Sequence, residues 1–272
     1  YTRILMTKEK PLVSIIIACY NAENYIDICM ESLIKQTYKN FEIIVCDDAS
    51  TDKSIEILKK WEKKDKRIII LKNKINMFAA ATRNRCFKIA QGDYFMIQDI
   101  DDLSRLDRIE KLLEVLQKED KIDFVSSSML TFKNIPGDSS YIWSNRNEYP
   151  TKWSFMWNSP FFNPASMFTR KCIEDVKGYR VAPETKRGED YDMFMRMYSC
   201  GYKGKNIFDS LYIFRLDDAN IKRRTFSARI GEYKIRKYGF KRLGISLFAI
   251  PFLFKPFLAH IFQKIKYING IK

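Results

Sequence analysis

The sequence holds one histidine, only ten glycines and no Cys-x-x-Cys spacing. Each shortage excludes a class of chemistry. The six cysteines, at positions 19, 29, 46, 86, 172 and 200, have no neighbouring histidine, so they suggest neither a zinc site nor a secreted disulfide framework. A reducing cytosol suits them. No Gly-x-Gly-x-x-Gly is present, which argues against a hydride-transferring dehydrogenase. The stretch 18–24 contains no glycine, so the triphosphate loop of a sugar nucleotidyltransferase has no place there. No apolar run precedes Pro11, and residues 1–10 read as a polar, basic tail, neither a secretory signal nor an anchor. The one strongly apolar stretch, 245–262, is broken by Pro251, Lys255 and Pro256, short of the ~20 continuous apolar residues that span a bilayer.

What is present is a chain of 272 residues, 46% hydrophobic, long enough for one large core with a small appended region. Its net charge of +15 is unevenly placed: residues 221–272 hold thirteen Lys/Arg against one acid, Glu232, and the first 220 residues are close to balanced. Charge alone would suggest nucleic acid, but no recognised binding motif accompanies it, and nucleic acid is not expected as a partner.

From Leu12 to Ser128 apolar strand-like runs alternate with helix-like stretches, the pattern of an α/β sheet covered by helices. Strands are expected at 13–18, 41–46, 68–71, 93–97 and 124–128, and helices at 23–35, from about 54 to 63, at 80–90 and at 106–117. Regularity fades from Met129 to Pro160 and returns as a strand at 163–169, a helix at 189–200 and a strand at 211–216. Ligands gather at the carboxyl ends of parallel strands, and two acidic clusters fall there: Asp47-Asp48 and Asp99-Ile100-Asp101-Asp102.

Three aspartates within four positions crowd carboxylate oxygens into one small volume. Hard cations such as Mg2+ or Mn2+ are bound by one or two carboxylates and complete their shell with substrate phosphates. An acidic helix N-terminus is the plainer reading; it accounts for one of these acids and leaves Asp99 and Asp101 over. Asp48, at the end of the second strand, can accept hydrogen bonds from a pyrimidine N–H or a ribose hydroxyl. Glu189-Asp190, after Gly188, is either a charged helix start or a catalytic pair. Aromatics of the 129–160 segment and beyond, Trp153 and Trp157 among them, either line a sugar cleft or pack the second half of the core.

Over most of Val13 to Asn220 these motifs, in this order, resemble the family 2 glycosyltransferases of bacterial surface-glycan type, inverting enzymes of the GT-A fold. The resemblance implies a Rossmann-like, mostly parallel sheet flanked by helices over 11–220, with a nucleotide-binding half at 11–128 and an acceptor half at 129–220. It implies a UDP-sugar as donor, a hexose or N-acetylhexosamine as the transferred group, and a glycan, lipid-linked or polymer acceptor. Val13 to Asn21 is similar to the family's first strand and nucleotide loop, with Ala18 where proline is frequent and Tyr20 and Glu23 toward base and ribose. Asp48 falls on the uracil contact, Asp99 and Ile100 on the donor side of the acidic motif, and Asp101 on the metal ligand. Ala81-Thr82-Arg83-Asn84 resembles the segment that supplies a diphosphate-side arginine, here Arg83, although Phe78 and Cys86 stand where glycine is common. Asp190 falls on the catalytic base, with Glu189 beside it. Where the family often carries a histidine metal ligand after the last strand, this chain has Phe214-Arg215-Leu216-Asp217; Asp217 is the expected replacement, which favours Mg2+ or Mn2+.

The remaining segment, 221–272, reads as a basic, amphipathic, helical extension. Either it lies against an anionic membrane surface, its phenylalanines and leucines inserted shallowly, or it packs as a helix pair on the domain. The first reading places the protein in the cytoplasm, peripheral at the inner face of the cell membrane. The other functional readings are the nucleotidyltransferase and a non-catalytic glycan or lipid-carrier binding module.

Overall fold

Strand β1 (Val13–Cys19) and strand β2 (Phe41–Asp47) are almost wholly buried, as unbroken apolar runs covered on both faces must be. They pair in parallel with β3 (Ile68–Lys72) and β4 (Tyr94–Asp99) to make one half of a mixed sheet. The structure, a computed structural model, describes residues 10–133, 141–145, 147–216, 225–245 and 247–268. Strands β5 (Leu103–Ser104), β6 (Phe124–Phe132), β7 (Ile142–Trp143), β8 (Ser166–Thr169) and β9 (Gly204–Arg215) complete the sheet in the order β3-β2-β1-β4-β8-β6-β9-β5, with β7 beside β6. β8 runs antiparallel to β4 and β6, whereas β9 runs parallel to β6, so the mostly parallel character belongs to the first half.

Side chains alternate across each strand, and the two faces build two cores. Ile15 and Ile17 join α1 (Ile26–Ile34), α2 (Ser54–Lys64) and α4 (Arg108–Lys118) on one face. In α4 the buried positions Ile109, Leu112, Leu113 and Leu116 recur at helical spacing, each contributing about 1.5–3 kcal/mol by burial. Ile16, Ile44 and Ile97 point to the other face, beneath α3 (Phe78–Ile89), α5 (Arg170–Asp175) and α6 (Glu189–Ser199).

The expected elements are present, most with ends displaced by a few residues, but the last strand, expected at 211–216, begins at Gly204, where its first half pairs with β6. β6 runs on to Phe132 where loop was expected, because Met129, Thr131 and Phe132 are buried against β9. The 163–169 stretch begins as a single 3-10 turn, since Pro164 cannot donate to a ladder.

The basic extension is helical and divides in two. Helix α7 (Phe226–Arg242) packs on the domain, burying Ile235 and Phe240 in the second core. Arg236, 1% exposed, donates to the carbonyls of Met156 and Trp157 at 2.9 Å each, pairs with Glu232 at 3.0 Å and lies over the Tyr191 ring. Gly231 touches the chain at Glu184 so closely that a Cβ would sit 2.7 Å from the Glu184 carbonyl oxygen. The short α8 (Ile250–Leu253) and α9 (Lys255–Ile268) follow, leaving Leu247, Phe248, Ile250, Phe254, Leu258 and Ile261 exposed.

Candidate active site

The parallel strands deliver their carboxyl ends to one edge. On the β1 side Tyr20 is exposed, and Asn21 adopts a left-handed φ of 47° that its short polar side chain tolerates. Asn21 donates its backbone N–H to Ser50 Oγ, and its Oδ1 accepts from the Thr51 N–H at 2.8 Å. Glu23 Oε2 accepts from the Lys53 N–H at 3.0 Å, and Asp52 Oδ2 from the Glu23 N–H at 3.1 Å. Glu23, expected near the ribose, therefore latches the β1 loop to the β2 loop. Ala18 is half-buried at the strand end beside them.

Asp48 is buried, and its Oδ1 accepts from Asn73 Nδ2 at 2.6 Å and from the Met77 N–H at 2.7 Å. Asn73, which drew no attention in the sequence, links Asp48 to α3, because its amide also donates to Thr82 and its Oδ1 accepts from Arg85. An open cavity of about 520 Å3, lined by Ala49, Ser50, Lys72, Asn73 and Lys74, lies at this outer edge.

In the acidic turn the three carboxylates have different employment. Asp99 Oδ1 takes a hydrogen bond from Arg83 Nη2 at 2.5 Å. Asp102 is buried: its Oδ2 accepts from the Tyr212 hydroxyl at 2.7 Å and its Oδ1 from the Arg215 N–H at 2.6 Å. That fastens the turn to β9. Burial, then the charges of Asp101 and Asp99, raises the Asp102 carboxyl well above the usual range. Ile100 is buried in the first core, so only its backbone faces the site. Asp101 alone of the three is exposed.

Among the described residues no group of three His, Cys, Asp or Glu side chains could hold a metal ion. Asp217 lies outside the described residues. The donor set fits a divalent cation held by one or two carboxylates and finished by substrate phosphate, with Asp101 projecting and Asp99 at the strand end.

Across the cleft Gly188, at φ 123°, turns the chain into α6. Glu189 Oε1 lies 3.5 Å from Arg83 Nη1, so the buried Arg83 guanidinium joins the two acidic elements through both its terminal nitrogens. Burial works against that charge, but Asp99, Tyr179 and Glu189 keep the guanidinium firmly protonated. Asp190 accepts from the Tyr191 N–H at 2.8 Å, and burial followed by the Glu189 charge pushes its carboxyl up to about 6. Such a carboxylate is still ionised at neutral pH and more basic than an ordinary one.

Trp153 and Trp157, read in the sequence either as lining an acceptor cleft or as packing residues, are 41% and 63% exposed and touch the C-terminal segment. Trp153 meets Phe248 edge-on at 5.8 Å, and Trp157 meets Phe252 at 5.1 Å beneath the Lys255 ammonium. Phe155 and Phe161 pack the second core. All six cysteines are free. His260 lies against Phe226, 5.5 Å between ring centroids, as a packing residue.

Residues 14–176 match the family Glycosyl transferase family 2. Over 249 residues the chain is 34% identical to EpsE of Bacillus subtilis, covering 91% of this chain and 88% of that protein. It is 31% identical over 228 residues, 83% of this chain and 86% of the other, to the UDP-Glc:alpha-D-GlcNAc-diphosphoundecaprenol beta-1,3-glucosyltransferase WfaP of Escherichia coli. In fold it resembles S. aureus TarS 1-349 in complex with UDP-GlcNAc, with a TM-score of 0.70 at 18% identity over 86% of this chain and 66% of that one. The mannosyltransferase PcManGT of Pyrobaculum calidifontis, in complex with GDP-Man and Mn2+, gives 0.65 at 17% identity over 97% and 80%.

Proposed function

Because the chain belongs to glycosyl transferase family 2, and is thus a glycosyltransferase acting on a glycan or lipid acceptor, we propose that it carries out an inverting transfer from a UDP-sugar in surface-polysaccharide synthesis. The observation that carries this reading is the Asp99–Arg83–Glu189 chain of ion pairs, which sets the donor-side acids and the raised Asp190 carboxylate at one cleft. The group transferred is a hexose or N-acetylhexosamine. Family membership leaves the nucleotidyltransferase and the binding module without support.

In this reading Asp190 takes the proton of an acceptor hydroxyl while its oxygen bonds to C1 of the sugar. The C1–oxygen bond to the diphosphate breaks on the opposite face, which inverts the carbon. Arg83, already charged and buried, faces the departing diphosphate, and Glu189 holds Arg83 in place. Asp48, Tyr20 and Glu23 border the nucleotide. Asp101, with Asp217 as its candidate partner, would hold Mn2+ or Mg2+, whose charge stabilises the leaving diphosphate when bound. The Mn2+ complex of PcManGT supports a divalent metal, and the lipid-diphosphate acceptor in the name of WfaP supports a lipid-linked acceptor.

We place the reaction at the inner face of the cell membrane, with the part of the 221–272 extension after residue 246 against anionic lipid. No helix among the described residues is long and apolar enough to cross a membrane. Support comes from the exposed apolar side chains after residue 246, set in a segment rich in lysine and arginine.

The experiment is a panel of nucleotide sugars offered with Mn2+, reading nucleoside diphosphate release with and without added membrane lipid extract. Release from a UDP-sugar, abolished by Asp190→Asn, is expected. No release and no binding of any donor would overturn the reading.

A further inference from the structure

Phe78 begins α3 with φ at 65°, in the left-handed region that a side chain bearing a Cβ enters only at a cost. Core burial does not offset that cost, because Phe78 is 51% exposed. The local backbone is held from below: Met77 N–H donates to Asp48 Oδ1, and Phe78 N–H to Asn76 Oδ1 at 3.1 Å. Glycine would take this conformation without strain.

What the ring does is meet Lys186, whose ammonium lies 4.4 Å from its centroid. Phe78 stands five residues before Arg83 on α3, and Lys186 three residues before Glu189. Helix α3 is therefore joined twice to neighbouring positions of one stretch, by the buried pair of Arg83 with Glu189 at the start of α6 and by the exposed contact of Phe78 with Lys186, the last residue of the 3-10 turn Pro183–Lys186 just before it. The inner bridge belongs to the charge network of the cleft. The outer one forms its rim, an aromatic wall capped by a cation, between α3 and the turn that leads into the helix carrying Asp190.

We infer that Phe78 is a specificity-determining residue, whose ring, held by Lys186, closes this rim so that the sugar leaves for the acceptor and not for water. The inference rests on the proposed transfer reaction. Water reaching C1 would form the C1–oxygen bond itself, expel the nucleoside diphosphate and pass its proton to Asp190, giving free sugar. A closed rim suppresses that loss and limits the size of the donor sugar.

The test uses the full chain with UDP-glucose and UDP-N-acetylglucosamine, Mn2+ and no acceptor. UDP release, UDP affinity by calorimetry and thermal midpoint are measured for the parent, Phe78→Gly and Lys186→Ala. Both variants should raise acceptor-free UDP release at least about threefold and narrow the preference between the two donors, with UDP affinity unchanged. Phe78→Gly should melt no lower than the parent, since its backbone strain is gone. A folded Phe78→Gly that binds UDP as the parent does, yet keeps the parent's release and donor preference, would overturn the rim and leave the transferase reading standing. A fall in UDP affinity matching the change in release would also overturn it, by assigning the ring to nucleotide binding. If the parent binds neither UDP nor either donor, the UDP-sugar reading falls and takes the rim with it.

Discussion

Arg83 donates to Asp99 at 2.5 Å from one terminal nitrogen and lies 3.5 Å from Glu189 through the other. One buried cation thus fixes the spacing between the end of β4 and the start of α6, the two elements that bear the donor-side acids and Asp190. Removing it strands two carboxylates. Arg83→Ala should cost about 3–5 kcal/mol in urea denaturation, as removal of one partner of a buried pair does, and should abolish transfer. Arg83→Lys, which restores charge but reaches only one carboxylate, should recover part of the stability and little of the rate.

Asp190 gives a prediction of opposite sign for stability and activity. Asp190→Asn should lower kcat about 100- to 10,000-fold, and in the parent kcat/KM should fall as pH drops through about 6, where the base takes up its proton. Because the folded carboxyl is raised from 3.8 to about 6, the folded state binds that proton more tightly than the unfolded chain does. Its stabilising contribution is complete below 3.8 and is lost as pH rises through 6. The Asn variant should therefore melt above the parent at pH 7.5, and the gap should close toward pH 4; thermal melts across that range decide it.

Tyr212 reaches the acidic turn from β9, donating to Asp102 and accepting from the Asp99 N–H at 3.2 Å. Tyr212→Phe removes both bonds and leaves a buried carboxylate short of a donor. A loss of about 1–3 kcal/mol is expected, with a weaker apparent affinity for Mn2+ read from activity titrations. An unchanged metal dependence would show that the fastening is structural only.

Gly231→Ala tests whether α7 is part of the catalytic domain. A Cβ there would meet the Glu184 backbone oxygen at 2.7 Å, so helix or turn must move, at a cost of about 1–3 kcal/mol. Limited proteolysis should then cut between Thr225 and Arg242 faster than in the parent. Unaltered cleavage and melting would mean the close approach relaxes freely.

The exposed apolar segment gives the fifth variant set. Leu247→Ser, Leu258→Ser and Ile261→Ser combined should release the protein from vesicles containing anionic lipid, to which the parent floats, without lowering its melting temperature. Equal flotation of parent and variant would remove this segment from the membrane contact.

The alternation of apolar strands with helical stretches, and the acids at strand ends, were legible in the sequence because both follow from local pattern: continuous burial for β1 and β2, turn chemistry after β2 and β4. Asp48, Asp99 and Asp190 are candidates that the resemblance to the family's motifs names. Asn73 and Tyr212 are not. An asparagine in a turn and a tyrosine in an apolar strand are ordinary residues until the fold sets their polar atoms against Asp48 and Asp102. Trp153 and Trp157 allowed two readings, cleft or packing, because aromatic side chains serve both, and only the fold sets them against Phe248 and Phe252.

By itself the sequence determined the α/β order, the acidic turn and the separation of a basic extension from a balanced domain. These depend on residue type and spacing along the chain. The tertiary structure alone decided how the three aspartates of the turn divide their labour, that a buried Arg83 joins Asp99 to Glu189, and that α7 with its buried Arg236 belongs to the domain and not to the solvated extension. Charge and hydrophobicity are written in a residue. Which partner satisfies a buried charge is fixed only when distant segments are brought together, since a guanidinium can stay buried only where carboxylates or carbonyls surround it.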